Sequence, residues 1–276
     1  MSKTKERGLV YPASAAPSLI SRREYLRTTL LAASAAGLTR RTLAQTATGT
    51  SSGTPKKRIY FNPLRTDQDL HGFQLEGSAL VQATAQGMRL KNSLSPTLGQ
   101  ESNFVLWCPE VFPDQIEIRW NFSPLAEPGL CVMFFAAQGL LQGQFVPLFD
   151  ERLAKRKGEY DQYTKSDVSA LQIAYFRRRY PSERAFHECV LRRAPGFQLL
   201  MRGADPIPNV EDATPPYKMR IIKRARVVEF FINDLSIFKG VDNSPHPTAG
   251  SGHIGFRQMA PLEAVYSDLE VFQLGA

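Results

Sequence analysis

Short stretches of alternating apolar and polar residues recur from about residue 56 to the end of the chain, and a two-residue period is the mark of a strand with one buried face. Asp114 to Phe122 is the clearest: Ile116, Ile118, Trp120 and Phe122 fall on one side, Glu117, Arg119 and Asn121 on the other. Leu171, Ile173 and Tyr175 likewise oppose Gln172, Ala174 and Phe176, ahead of the run Arg177, Arg178, Arg179. Pro181 and Ser182 then predict a turn, Phe186 to Leu191 a returning strand that carries His187, and Phe197 to Met201 a third strand after Gly196. Leu130 to Ala137 is apolar on both sides, which predicts a central strand covered on both faces, most simply in the middle of two packed sheets.

The remaining elements follow the same grammar. Lys56 to Phe61 opens the domain, and His71 to Gln86, Gly87 to Asn92 and Ser102 to Trp107 supply further short strands. Tyr217 to Ile222 and Ala225 to Ile232 form a pair, Leu235 to Phe238 follows an Asn233-Asp234 turn, and Tyr266 to Leu274 closes the chain. Near the end, His253, Gly255 and Arg257 face away from Ile254 and Phe256. Turn signals about every ten residues, without a long amphipathic helix, predict an all-β fold, a two-sheet antiparallel β-sandwich or a barrel, over residues 58–276 as a single domain. Two long connections interrupt it. Gln142 to Tyr163 has a helical candidate at Asp150 to Lys157 and the character of a lid or binding loop, and Arg202 to Tyr217 is stiffened by four prolines.

The first residues do not belong to this pattern. Arg22 and Arg23, followed by Tyr25 and Leu26 and an uncharged stretch from Leu30 to Leu38, resemble a twin-arginine export signal with cleavage after Ala44. Residues 1–44 are therefore read as a signal peptide and 45–57 as a flexible polar tether, giving a periplasmic or secreted bacterial protein. The apolar stretch is too short for stable membrane insertion. The segment also changes the charge argument: it holds eight basic and two acidic residues, so the formal net charge of +8 falls to +2 beyond it. A nucleic-acid partner loses its main support.

Three scattered cysteines, Cys108, Cys131 and Cys189, imply no disulfide framework, although the compartment would permit one pair to oxidise. Four histidines at positions 71, 187, 246 and 253 show no ligand spacing, so no metal or other cofactor is expected, apart from a structural calcium on loop oxygens of Asp67, Asp69 or Asp268.

Candidate chemistry comes from the polar faces. Glu117, Arg119 and Asn121, then Arg177, Arg179 and His187, then His253 and Arg257, suit a groove that meets an acidic oligo- or polysaccharide, because the guanidinium fork pairs with a carboxylate through two hydrogen bonds. A basic hairpin facing solvent is the plainer alternative. Trp107, Trp120, Tyr160, Tyr163 and Tyr175 could stack on sugar faces, or lie in the core. For β-elimination the roles would be Arg119 or Arg177 as carboxylate neutraliser, His187 as base and Tyr175 as acid. For glycoside hydrolysis the pair to test would be Glu117 with Glu263.

The segments WNFSPLAEPGLCVMFFAA from Trp120, YFRRRYPSERAFHECVLRRAPGF from Tyr175, RGADPIP from Arg202 and GHIGFRQMAPLEAVYSDLEVFQL from Gly252 resemble the DUF1961 family, whose bacterial members include a protein encoded among pectin-degradation genes. The ending is also similar to the wider concanavalin A-like lectin and glucanase superfamily. The resemblance implies a concanavalin A-like jelly roll with a concave glycan-facing sheet. It also implies a polysaccharide-active enzyme, lyase before hydrolase, or a non-catalytic lectin-like protein on the same scaffold. The E-x-D-x-x-E arrangement of the glucanases is absent: Glu117 opens EIRWNF, with Arg119 where the second acid would stand.

Overall fold

The structure, a computed structural model, describes residues 56–247 and 249–275. The expected signal peptide at 1–44 and the tether up to residue 55 lie outside the described residues. Lys56 and Lys57, expected in the tether, already belong to the first strand.

Sixteen strands account for most of the described chain: β1 (Lys56–Asn62), β2 (Gln74–Gly77), β3 (Ala79–Thr84), β4 (Gly87–Asn92), β5 (Phe104–Trp107), β6 (Ile116–Ala126), β7 (Leu130–Leu141) and β8 (Gln144–Val146), then β9 (Val168–Tyr175), β10 (Glu188–Ala194), β11 (Gln198–Ala204), β12 (Tyr217–Arg224), β13 (Val227–Ile232), β14 (Leu235–Val241), β15 (His253–Met259) and β16 (Glu263–Leu274). They form two antiparallel sheets. The first runs β14-β13-β12-β6-β16-β4-β3, with β1 also paired to β16; the second runs β11-β10-β9-β7-β15-β5-β2, with β8 as a hairpin on β7. Most outer pairs are hairpins of consecutive strands, but the pairs β12-β6, β6-β16, β16-β4, β7-β15 and β15-β5 join strands distant in sequence, as in a jelly roll. The fold is a two-sheet β-sandwich.

The alternation decides what fills the space between the sheets. Ile116, Ile118, Trp120 and Phe122 from β6 meet Leu171, Ile173 and Tyr175 from β9 and Cys131, Met133 and Phe135 from β7 in one core. Tyr175 packs edge-on against Phe122 at 5.1 Å between ring centres, and Trp120 lies 5.9 Å from it. Burial pushes the Tyr175 phenol well above its ordinary value. All three cysteines are free and buried. Cys131 and Cys189 stand on β7 and β10 with β9 between them, hence roughly 9 to 10 Å apart, beyond the reach of a disulfide.

β7 is covered on both faces as its composition predicts, but a second sheet covers only one. Val132 and Phe134 look away from the sandwich core into a smaller apolar cluster with Trp107, Leu148, Tyr163 and Val168. The cover is the long connection after β8, and two local expectations fail around these loops. Asp150 to Lys157 is not helical; Asp150 instead folds back on Arg152 through two side-chain hydrogen bonds, and the helical turn falls later, at α1 (Asp161–Thr164). The turn at Pro181 is a short helix, α2 (Pro181–Ala185), because Glu183 accepts from the backbone N–H groups of Arg179 and Tyr180 and ties down its first turn. The returning strand therefore starts at Glu188, leaving Phe186 on the surface at 77% exposure.

Candidate functional site

The connection between β8 and β9 decides which part of the second sheet's outer face stays open. Arg156, almost wholly buried, pairs with Glu76 on β2 at 2.8 Å and donates to the Leu148 carbonyl at 2.9 Å, while Trp107 Nε1 donates to the same Glu76 carboxylate at 2.9 Å. Gly158 passes so close to β5 that a Cβ there would stand 2.0 Å from the Asn103 carbonyl oxygen, and its φ of +96° also requires glycine. These ties fix a roof over β5 and parts of β15 and β7. Its last residue before α1 is Tyr160.

Beyond the roof lies a small cavity of about 80 Å³. Its floor is apolar, from Leu130, Val132, Ala174, Val190 and Met259; its walls are Tyr160, Phe197, Arg177, Arg192 and Arg257. Cations and rings interleave along one wall. The Arg257 guanidinium lies 4.6 Å from the Tyr160 ring centre, Tyr160 meets Phe197 edge-on at 5.5 Å, and Arg192 covers Phe197 at 3.9 Å. The Tyr160 hydroxyl donates to Gln172 Oε1 at 2.7 Å. Burial raises that hydroxyl to about 12 even though Arg257, Arg192 and Arg177 all pull it down.

Arg257 is the anomaly of the site. It is fully buried, its Nη2 makes only long contacts to Gln100 Oε1 at 3.2 Å and the Gly158 carbonyl at 3.4 Å, and its Nε and Nη1 have no partner among the described residues. Burial lowers its pKa to about 10. Gln172, almost as deeply buried, also keeps an unpartnered Nε2. Arg257 lines the cavity and Gln172 lies next to it under Tyr160, and unmade hydrogen bonds of this kind are rare in folded proteins.

The expected site residues do not assemble as one group. Arg177, Tyr160 and Arg257 meet at the cavity. Trp107 is on the same sheet face but sealed under the roof, whose Tyr163 packs on it at 6.3 Å. His253 is buried further along β15, its Nδ1 beside the Cys108 carbonyl at 3.1 Å and its ring against Phe149 at 5.1 Å. Tyr175 cannot be a catalytic acid on a groove, since odd positions of β9 face the core. His187 sits in the half-exposed link from α2, outside the strands, its Nε2 2.9 Å from the Arg184 carbonyl, whereas Tyr175 is buried between the sheets. Arg179 is spent on the Ala260 carbonyl at 2.9 Å, and Arg177 is paired with Glu183 and Glu188.

Glu117, Arg119 and Asn121 belong to the other sheet. Glu117 and Arg119 pair with each other, Lys56 joins Glu117 at 3.1 Å, and Arg119 covers the Phe272 ring. Glu117 stands opposite Phe272 and Glu263 opposite Ala126 in the β6–β16 ladder, which separates the hydrolytic pair by roughly 30 Å. The groove of about 520 Å³ around Arg119 and Asn121 is larger than the cavity by the roof. Most of its charges are already matched, however: Arg220 with Asp234 at 3.3 Å, Arg58 with Glu270 at 2.9 Å and Arg65 with Asp268 at 2.9 Å. Asp69 is likewise occupied by the backbone of Arg65 and Thr66, so the loop carboxylates expected to hold calcium are not gathered into a cage. Among the described residues no three His, Cys, Asp or Glu side chains are placed to share a metal ion, and no helix is long and apolar enough to cross a membrane.

The residues missed in the sequence are Gln172, Arg192 and Phe197. Alternation already placed Gln172 opposite Tyr175, and Arg192 shares its parity with Val190, but only the pairing of β9 with β10, Arg192 opposite Gln172, joins them.

The chain is thus a galectin-like β-sandwich protein with an arginine-lined cavity beside a loop roof. It belongs to the family described as "Domain of unknown function (DUF1961)", matched over residues 57–271. Uncharacterized protein YesU of Bacillus subtilis (strain 168) is 44% identical over 217 residues, 78% of this chain and 95% of that one. A crystal structure of a Bacillus subtilis protein of unknown function with a galectin-like fold superposes with a TM-score of 0.73 at 44% identity, covering 78% and 96% of the two chains. The potassium-bound carbohydrate recognition domain of Emp46p is similar in fold at a TM-score of 0.50 and 13% identity, over 78% and 95%. The Crh5 transglycosylase is similar at 0.51 and 6%, over 78% and 84%.

Proposed function

We propose that this protein binds an acidic glycan at the cavity beside Tyr160, with the carboxylate of a uronic acid taking the open donors of Arg257. The observation that carries the reading is the buried guanidinium without a counter-charge. A lone buried charge is strongly destabilising, whereas one met by a carboxylate in good geometry recovers much of that cost. Tyr160 and Phe197 offer ring surface to a sugar, Gln172 offers an amide donor to a hydroxyl, and Arg192 adds a positive charge at the mouth, where Arg177 is already paired with Glu183 and Glu188. The scaffold agrees with this use without selecting it. Emp46p is a carbohydrate recognition domain and Crh5 a transglycosylase, and we place the chain with them in the concanavalin A-like lectin and glucanase superfamily. Export through the twin-arginine route, to the periplasm or beyond, is part of the same proposal.

Turnover is the second reading. The Tyr160 hydroxyl, which donates to Gln172 while Arg257 lies over the ring, is the group that would move a proton during β-elimination from a uronate. Its raised pKa keeps the proton on the phenol and favours binding over base catalysis. Calorimetric titration with galacturonate and glucuronate oligomers, beside neutral oligomers of the same length, tests the main reading. Selective binding of the uronates is expected, and equal binding of the neutral set would overturn it. Ultraviolet absorbance from an unsaturated product in the same mixtures would promote the elimination reading. New reducing ends without that absorbance would mark hydrolysis instead.

A further inference from the structure

The cavity is blind on one side. Tyr160 closes it, held from behind by Arg257 at 4.6 Å and from below by Gln172 at 2.7 Å. Phe197 closes it next to Tyr160, with Arg192 laid over the ring and its Nη1 donating to the Phe197 carbonyl at 3.2 Å. Past Tyr160 the sheet face is occupied by the roof itself, through Tyr163 and Leu148 on Trp107 and Phe134. On that side the roof stops a polymer from continuing across the sheet. Elsewhere on the rim Arg177 keeps 17% of its side chain exposed beside an apolar sill of Leu130 and Met259, while Phe197 is 38% exposed on its outer side.

Size points the same way. About 80 Å³ is far below the ~300–1,000 Å³ of pockets that engulf a whole drug-sized ligand, so the space admits a charged group and part of the ring that bears it. The unpartnered donors, Arg257 Nε and Nη1 in the cavity wall and Gln172 Nε2 next to it, belong to enclosed side chains. An internal uronate would have to bring its two glycosidic neighbours into the same closed space. A terminal one need not.

Building on the acidic-glycan reading above, we infer that the site is specific for chain ends: the carboxylate of a terminal uronate enters beneath Tyr160, and the rest of the glycan leaves over the sill at Arg177. This makes the protein a reader of ends rather than of the polymer's length, and end number rises as a polymer is cut.

Stoichiometry tests it. Size-defined galacturonate oligomers, from short chains to chains much longer than the sheet is wide, are titrated against the full protein, and the protein bound per chain is read by calorimetry and by sedimentation. A single protein per chain at every length is expected, with the free monosaccharide competing within about tenfold of the chain's own Kd, since the pocket contacts lie on the end residue. Binding that rises in proportion to chain length would overturn end recognition and leave the acidic-glycan reading standing. Failure of every uronate to bind would remove both. Tyr160→Ala should unblock the closed side and let the stoichiometry climb on long chains. Phe197→Ala, at a 38% exposed position, opens the same wall and serves if the first variant folds poorly. If both folded variants kept strict single occupancy, the closed wall would not be the cause and the inference would fail.

Discussion

Replacing Arg257 with methionine should make the free protein more stable while removing its affinity for an acidic glycan. The fall of the Arg257 pKa from 12.5 to about 10 corresponds to a charged form held roughly 3 kcal/mol above its free energy in water. A base with a depressed folded pKa carries that cost wherever both folded and unfolded states are protonated, and sheds it only as pH rises from the folded value towards 12.5. At neutral pH the whole penalty is therefore present. Methionine fills most of the volume and needs no counter-charge. The variant gives up the cation–π contact with Tyr160 and the long hydrogen bonds to Gln100 and Gly158, together about 1 to 2 kcal/mol. The balance is a gain of about 1 to 2 kcal/mol, or about 2 to 8 °C in Tm for a domain of this size. Thermal unfolding followed by circular dichroism, with and without a uronate oligomer, reads both halves. The parent protein should gain stability from the ligand by mass action and Arg257→Met should not. If the variant instead melted several degrees lower, Arg257 would be a structural tie of the roof, and the argument from its unmet donors would collapse.

Gly158→Ala should lower Tm and weaken glycan binding together, because the methyl would meet the Asn103 carbonyl oxygen at 2.0 Å and lift the segment that carries Tyr160; calorimetric affinity unchanged from the parent would show that the roof does not position the site. Arg178→Met should cost about 3 to 5 kcal/mol, since it leaves the buried Asp205 carboxylate without its partner at 3.4 Å, and a chemical-denaturation midpoint equal to the parent's would refute that. Burial holds His253 below its ordinary 6.5, so its share of stability is complete above that pH and is lost as pH falls through the depressed value; His253→Gln should flatten the acid side of the Tm profile, and an unchanged slope would assign the acid sensitivity elsewhere. Arg22→Lys combined with Arg23→Lys should abolish passage to the periplasm in cell fractionation, and normal export of that variant would end the twin-arginine proposal.

What the sequence determined is the set of strands and the face each one buries. Period-two alternation is a local property of the backbone, so Trp120 and Phe122 could be assigned inward, and Arg119 and Asn121 outward, without knowing what lay opposite. The same rule placed Tyr175 with Leu171 and Ile173, which face the core; casting it as a catalytic acid set its chemistry above its parity. Which polar faces share a site was not local. Sheet membership comes from hydrogen-bond pairing between strands far apart in the chain, and it sent β6 to one sheet and β9, β10 and β15 to the other. That pairing divided the expected groove into a face of matched ion pairs around Arg119 and a cavity around Arg257. Nor could the sequence show that Arg257 lacks a counter-charge, since burial and partnership are sums over every element packed around a side chain. The tertiary structure decided that by folding the 147–165 connection over half of a sheet face and ending its roof at Tyr160.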